Sequence, residues 1–141
     1  MGVKTYNLGA VDVIFAGIPF KGFADGTVIT VARNNPMSTD LVGGDGEGAR
    51  AMSNDRSGSV TVVLMQTSAT NLALSAIAKA DEDSGGQGVF PLMVKDGSGL
   101  SVAQAETAWL EKIADAEYGR ELTSRTWVIK TDNLDSVIGG N

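Results

Sequence analysis

Ser59-Val60-Thr61-Val62-Val63-Leu64-Met65-Gln66-Thr67, followed by Ser68-Ala69-Thr70-Asn71-Leu72-Ala73-Leu74, is the stretch that decides the fold. Its first half alternates with period two, so Val60, Val62 and Leu64 share one face of a strand and Val63 and Met65 the other. Both faces are partly apolar, so both are expected to be covered, one by the core and the other by a helix or a neighbouring subunit. The second half changes period. Leu74, Ile77 and Ala78 fall at i, i+3 and i+4, which predicts a helix over Ala69–Ala80 with Ser68 or Thr70 at its N-cap. Asp81-Glu82-Asp83 then places three negative charges where a helix C-terminus disfavours them, by about 0.3–1 kcal/mol each, and the helix is expected to stop near Ala80.

Working outward, Val11–Ala16 reads as a first strand and Gly17–Gly22 as a turn. Thr27–Arg33 reads as a second strand, broken by Asn34-Asn35-Pro36. Gly88–Lys95 places Phe90, Leu92 and Val94 on one face, and Asp96-Gly97-Ser98-Gly99 is a hairpin turn. Leu100–Tyr118 has a helix-favouring composition, but it follows that turn. Gly119–Lys130 alternates, with Thr123, Arg125, Trp127 and Ile129 on one side. The tail from Asp132 is read as polar and extended. Between the second strand and Ser59 lies a long polar stretch, about residues 34–58, rich in glycine and acid. Such a segment inside a compact domain is functional or disordered, and Glu47–Met52 reads as part of an extended hairpin arm.

Composition narrows the function classes. The chain has 141 residues, 43% of them apolar, which suits one domain with a real core. It contains 18 glycines, 3 prolines, no cysteine and no histidine. Disulfides, thiolate metal sites, imidazole ligands and histidine acid–base catalysis are therefore absent. The net charge of −6 disfavours tight binding to a phosphate backbone. No apolar run is long enough to cross a membrane. Met1–Leu8 lacks a signal-peptide core, and Met1-Gly2 does not open a myristoylation signal, because Tyr6 occupies the Ser/Thr position.

Gly44–Ala49 formally fits G-x-G-x-x-A. Asp45 and Glu47 would face the pyrophosphate, and Arg50–Gly58 makes a poor helix, so the stretch reads as a flexible turn or assembly loop. Asp81–Asp83 and Asp132–Asp135 lack the spacing of a calcium loop and read as solvated acids. Aromatic residues make up only 6% of the chain, too few for sugar platforms, so Trp109 and Trp127 are read as core or subunit-interface residues. Catalytic residues, cofactor and metal are expected to be absent.

In order and spacing, Val11-Asp-Val13 with Ala16–Gly22, Thr27–Arg33, Val42–Gly48, Leu64–Asn71, Pro91–Gly99, Ala108-Trp109, Arg125-Thr-Trp127 and Gly139-Gly140 resemble the tail-tube proteins of contractile-tailed bacteriophages. The resemblance covers nearly the whole chain. It implies a mainly β subunit with one helix, a sandwich or barrel whose strands join a hexameric ring barrel. On that basis most of Leu100–Tyr118 is taken as strand. Residues 1–141 then form a single tail-tube domain with an arm at about 34–58, where Gly43, Gly44, Asp45, Glu47, Arg50, Asp55 and Arg56 are the expected inter-ring assembly residues.

The partners implied are further copies of the chain, sheath, tape-measure, baseplate and tail-terminator proteins. DNA would pass through without sequence-specific binding, along a wall expected to be acidic. Assembly is expected in the host cytoplasm, without membrane anchoring. A tailocin or type VI secretion tube subunit, a small carbohydrate-binding β-sandwich and a capsid-decoration protein are the competing readings.

Overall fold

The computed structural model describes residues 2–140; Met1, on which the lipidation reading fell, lies outside them. After a short 3-10 turn at Leu8–Ala10, ten strands and one α-helix follow in the order β1 (Val11–Phe15), β2 (Ile18–Pro19), β3 (Ile29–Arg33), β4 (Ser38–Val42), β5 (Gly48–Met52), β6 (Gly58–Met65), α1 (Thr70–Ser84), β7 (Phe90–Asp96), β8 (Val102–Leu110), β9 (Ser124–Thr131) and β10 (Asp135–Val137). The mainly β, one-helix class expected from the sequence holds. Among the described residues no helix is long and apolar enough to cross a membrane.

The main sheet is antiparallel, in the order β2-β1-β7-β8-β9-β6-β3. Strand β8 bends it. One edge of β8 pairs with β7. The other pairs with β10 through residues 102–104 and with β9 through residues 108–110. The inner faces of both halves therefore feed one core, in which Phe15, Val60, Val62, Leu64, Leu74, Ala108 and Ile129 are fully buried. Strand β6 is the spine: its alternate residues from Gly58 to Leu64 are buried, as period-two patterning requires.

The sheet does not close within the chain. Strands β2 and β3 end it, and between β3 and the start of β8 lies an open apolar cleft of about 460 Å³, lined by Ile29, Val31, Val94, Val102 and Ile138.

Four elements depart from the sequence reading. Helix α1 runs past Ala80 to Ser84, because the acids are used locally. The Asp81 carboxylate accepts from Gly88 N–H at 2.8 Å. Gly85, in the left-handed region at φ 75°, turns its N–H back to the carbonyls of Asp81 and Glu82. No side chain caps the N-cap residue Ala69, although the Ser68 hydroxyl accepts from Thr70 N–H at 3.3 Å.

The segment after the β7–β8 turn is strand only to Leu110; residues 111–123 are irregular and β9 begins at Ser124. That connection is tied down from a distance. Gln66 Oε1 accepts from Thr123 N–H, and the Arg125 guanidinium lies 5.2 Å from the centre of the Tyr118 ring. The predicted Gly17–Gly22 turn contains the two-residue strand β2. Finally, the polar tail is not simply extended: Asp135–Val137 pairs with β8 as β10.

Candidate assembly interface

The polar stretch folds into a separate two-stranded hairpin, β4 with β5, in the register Ser38↔Met52, Asp40↔Arg50 and Val42↔Gly48. At its tip Gly43 N–H donates to Glu47 O at 2.8 Å and Gly46 N–H to Gly43 O at 2.9 Å, while the Asp45 carboxylate accepts from Glu47 N–H. This closes the three-residue turn Gly44-Asp45-Gly46, with Gly46 at φ 88° as that turn type requires. It is a hairpin tip leading into a strand, so the formal dinucleotide match has neither the following helix nor the geometry.

Every β4 and β5 residue is exposed except Ser38, which is partly so. Leu41 is 74% exposed, and Met37, Val42 and Met52 are more than half exposed. An isolated two-stranded hairpin is marginal in water. Four bare apolar side chains on one mark a contact surface more readily than a solvated loop.

The root is rigid. Asn34 N–H donates to Ser57 O, Asn35 Nδ2 donates to Asp55 Oδ2 at 2.6 Å, and Ser57 donates to Asp55 Oδ1 through both its N–H and its hydroxyl. Chiefly the Ser57 hydroxyl, then the Ser57 N–H and the Asn35 amide, hold the Asp55 carboxyl below its ordinary value of 3.8, with a small opposing effect of burial. Beneath that network Arg56 O accepts from Leu134 N–H at 2.8 Å, and the Arg33 guanidinium donates to Leu134 O at 2.9 Å.

The seven residues singled out in the sequence thus separate into two groups. Gly43, Gly44, Asp45 and Glu47 form the tip and Arg50 faces Asp40 along the shaft, whereas Asp55 and Arg56 belong to the root. The sequence reading missed Asn35 and Ser57, which complete the lock, and the apolar residues of the shaft. Apolar Leu41, Val42 and Met52 flanking a glycine-rich turn were the available signal.

The second interface feature is the sheet's unpaired ends. Strand β3 reads Ile-Thr-Val-Ala-Arg, with no proline, lysine or bulge to blunt its free edge, and the apolar cleft opens beside it. Among the described residues no group of three or more acidic side chains converges as a metal site.

The family model described as bacteriophage PhiTE tail tube protein matches residues 16–139. Structural protein ORF10 of Pseudomonas phage KPP10 is 29% identical over 121 residues, spanning 85% of this chain and 70% of that one. The fold matches the anti-feeding prophage cap, a tube-terminating cap solved by cryo-EM, with a TM-score of 0.58 at 9% identity over 97% of this chain and 94% of that one. At that identity the likeness speaks to fold alone. The family match spans most of the chain and the phage relative is a structural protein: the chain belongs to the bacteriophage PhiTE tail tube protein family and is a structural component of the virion, not an enzyme.

Proposed function

We propose that residues 1–141 act as one tail-tube domain, that six copies close into a ring, and that rings stack into the inner tube of a contractile tail. The observation that carries this reading is the hairpin arm, held stiffly at Asp55 and bearing exposed Met37, Leu41, Val42 and Met52 clear of the core. Strands rise about 3.4 Å per residue, so the five-residue shaft reaches roughly 17 Å beyond its root, far enough to engage another copy.

The unguarded β3 edge supplies the lateral contact, since pairing it with the next copy removes an aggregation-prone edge. In the arm, Gly43 and Gly44 shape the tip, Asp45, Glu47 and Arg50 present charge to the next ring, and Asp55 and Arg56 fix the angle of approach. Tape-measure protein fills the channel during assembly, and DNA later passes through without base recognition. Sheath surrounds the tube, with baseplate and terminator proteins at its two ends, and assembly takes place in the host cytoplasm. Tailocin and type VI secretion tubes share the plan, and genes for capsid beside this one would separate them.

The test is negative-stain electron microscopy over a concentration series, with wild type and a variant whose Thr39–Ala51 is replaced by a two-residue Asn-Gly turn. Rings or hollow tubes from the wild type, and a folded trimmed protein that forms none, are expected. A trimmed protein that polymerises normally would remove the arm from the mechanism. Monomers of the wild type at every concentration, even with baseplate added to start growth, would remove the tube.

A further inference from the structure

The two outward faces of the bent sheet differ in charge. On β1, β7, β8 and β10 the residues pointing away from the core include Asp12, Lys95, Glu106 and Asp135. On β3, β6 and β9 they include Thr30, Ser59, Thr61, Val63, Thr126 and Val128, aligned in cross-strand rows such as Thr30–Thr61–Val128 and Val63–Thr126. Among the described residues of those three strands, Lys130 is the one charged group on this face. It stands at the corner opposite Trp109, with Glu111 3.7 Å away. In a chain whose residues are 20% charged, an outward sheet face of hydroxyls and methyls is not what solvent alone would select.

The face also lies opposite the helix. Trp127 is on the core side of β9, and its indole N–H donates to the Asn71 side-chain oxygen of α1 at 3.0 Å. Core and helix are thus on one side of β3-β6-β9 and the uncharged face on the other.

We infer that this uncharged face is the wall that duplex DNA slides along. The inference rests on the tube reading and replaces the acidic wall expected from net charge with a neutral one. Duplex DNA carries one negative charge per about 1.7 Å of its axis, and each lysine or arginine that touches a phosphate adds a salt-dependent grip. Ring symmetry repeats any wall cation in every subunit, so a single lysine would become a ladder of traps. A strongly acidic wall avoids the traps but raises a barrier to DNA entry. A face of Thr, Ser and Val does neither: its one lysine, Lys130, is offset at the corner by Glu111, Asp25 and Glu117 line only the depression beside Val63 and Ser124 at its end, and Asp12, Glu106 and Asp135 sit on the other half of the sheet.

The chain lacks cysteine, so single thiols report position cleanly. Thr126→Cys and Leu72→Cys, the second on the exposed outer face of α1, are supplied in trans to phage lacking the gene, and sheath-stripped tubes are labelled. The thiol of Thr126→Cys is expected to react with a small maleimide but only slowly with a polymer-linked one too bulky for the channel, while that of Leu72→Cys reacts with both. Equal labelling of the two variants by the bulky reagent would put the face on the exterior. Labelling of Thr126→Cys by neither reagent would bury it between copies. Either result overturns the inference.

In intact particles, Thr126→Lys should give tails of normal length whose DNA release is about tenfold slower at low salt and recovers as salt rises. Release at the wild-type rate would overturn the charge argument. Tails whose tube contains none of the complementing chain would instead sink the tube reading itself.

Discussion

Leu134 and Gly58 meet at the root of the arm, and a double-mutant cycle there tests how that root is built. Leu134 is 1% exposed and joins three pieces of chain: its N–H donates to Arg56 O, its carbonyl accepts from Arg33, and its side chain lies over Gly58. A Cβ added at Gly58 would stand 2.6 Å from Leu134 Cδ2 and 2.7 Å from Ala32 O. The second contact is with backbone of the paired strand β3, so Gly58→Ala must push β3 and β6 apart, at about 1–3 kcal/mol. Leu134→Ala keeps both backbone hydrogen bonds but leaves a cavity, at about 2–5 kcal/mol.

In the double variant the Cδ2 clash is gone and the cavity is partly filled, while the Ala32 O contact and the tight 3.1 Å approach to the Cβ of residue 134 remain. Its cost should therefore fall below the sum of the singles by about 1 kcal/mol. Urea unfolding of the free subunit reads all three losses, and in a chain of this size each kcal/mol moves Tm by roughly 2–5 °C. Strict additivity would show that Leu134 does not occupy the space above Gly58. A Gly58→Ala protein as stable as wild type would refute the close approach altogether.

Three further outcomes follow from other parts of the structure. Val62 is fully buried between Ile29 and Trp127, so Val62→Asp should cost several kcal/mol and leave insoluble protein; a soluble, stable variant would overturn the register of β6. Asp55 titrates below 3.8 in the folded chain, so its contribution to the arm root is complete above that pH and is lost as pH falls through the lower folded value. The Ser57 amide resonance should therefore stay constant from neutral pH down to about 4 and move only below it, and Asp55→Asn should abolish that acid limb; a midpoint above 3.8 would contradict the network. Trp127→Phe removes the hydrogen bond to the partly buried Asn71 and should lower stability by about 1 kcal/mol, with α1 amides exchanging faster; unchanged exchange would detach the helix from that bond.

The sequence is most legible where one face of a strand is fully buried. Val60, Val62 and Leu64 declare β6 because a one-residue slip would expose all three, and Leu92 with Val94 declares β7 in the same way. The arm is legible as a glycine turn between short runs, but its lock is not, since Asn35 and Asp55 are 20 residues apart and meet only after β3 and β6 pair. The helix end was misplaced because a rule about charge at C-termini takes no account of Asp81 accepting from Gly88. Residues 111–123 carry helix-favouring side chains, yet contacts from Gln66 and Arg125 hold them irregular, an ordinary case of tertiary context overriding a weak preference. The uncharged face was hidden for a different reason. Ser59, Thr61 and Val63 are legible as the other side of β6, but only the register with β3 and β9 shows that Thr30, Thr126 and Val128 extend them into one uncharged surface.

The arm and the uncharged face are properties of the same two strands. Strands β3 and β6 pair along Ile29–Arg33 and Gly58–Val62, and the arm leaves from the Arg33 and Gly58 end of that pair. On the ring reading, an arm that reaches a neighbouring ring must leave along the tube, so β3 and β6 run with a large component along the tube axis, and the sheet they belong to forms its wall. The eight residues of β6 span about 26 Å along the strand, and the shaft adds roughly 17 Å. The arm would then overlap more than half of a neighbouring wall strand even without allowance for the tilt that barrel closure imposes. An overlap of that length places the tip against the next copy only if the root angle is fixed, because a small rotation at Asp55 is magnified along the shaft. The hydrogen bonds crowded onto Asp55, on an exposed surface where they add little to folding, make sense as the hinge pin of that lever.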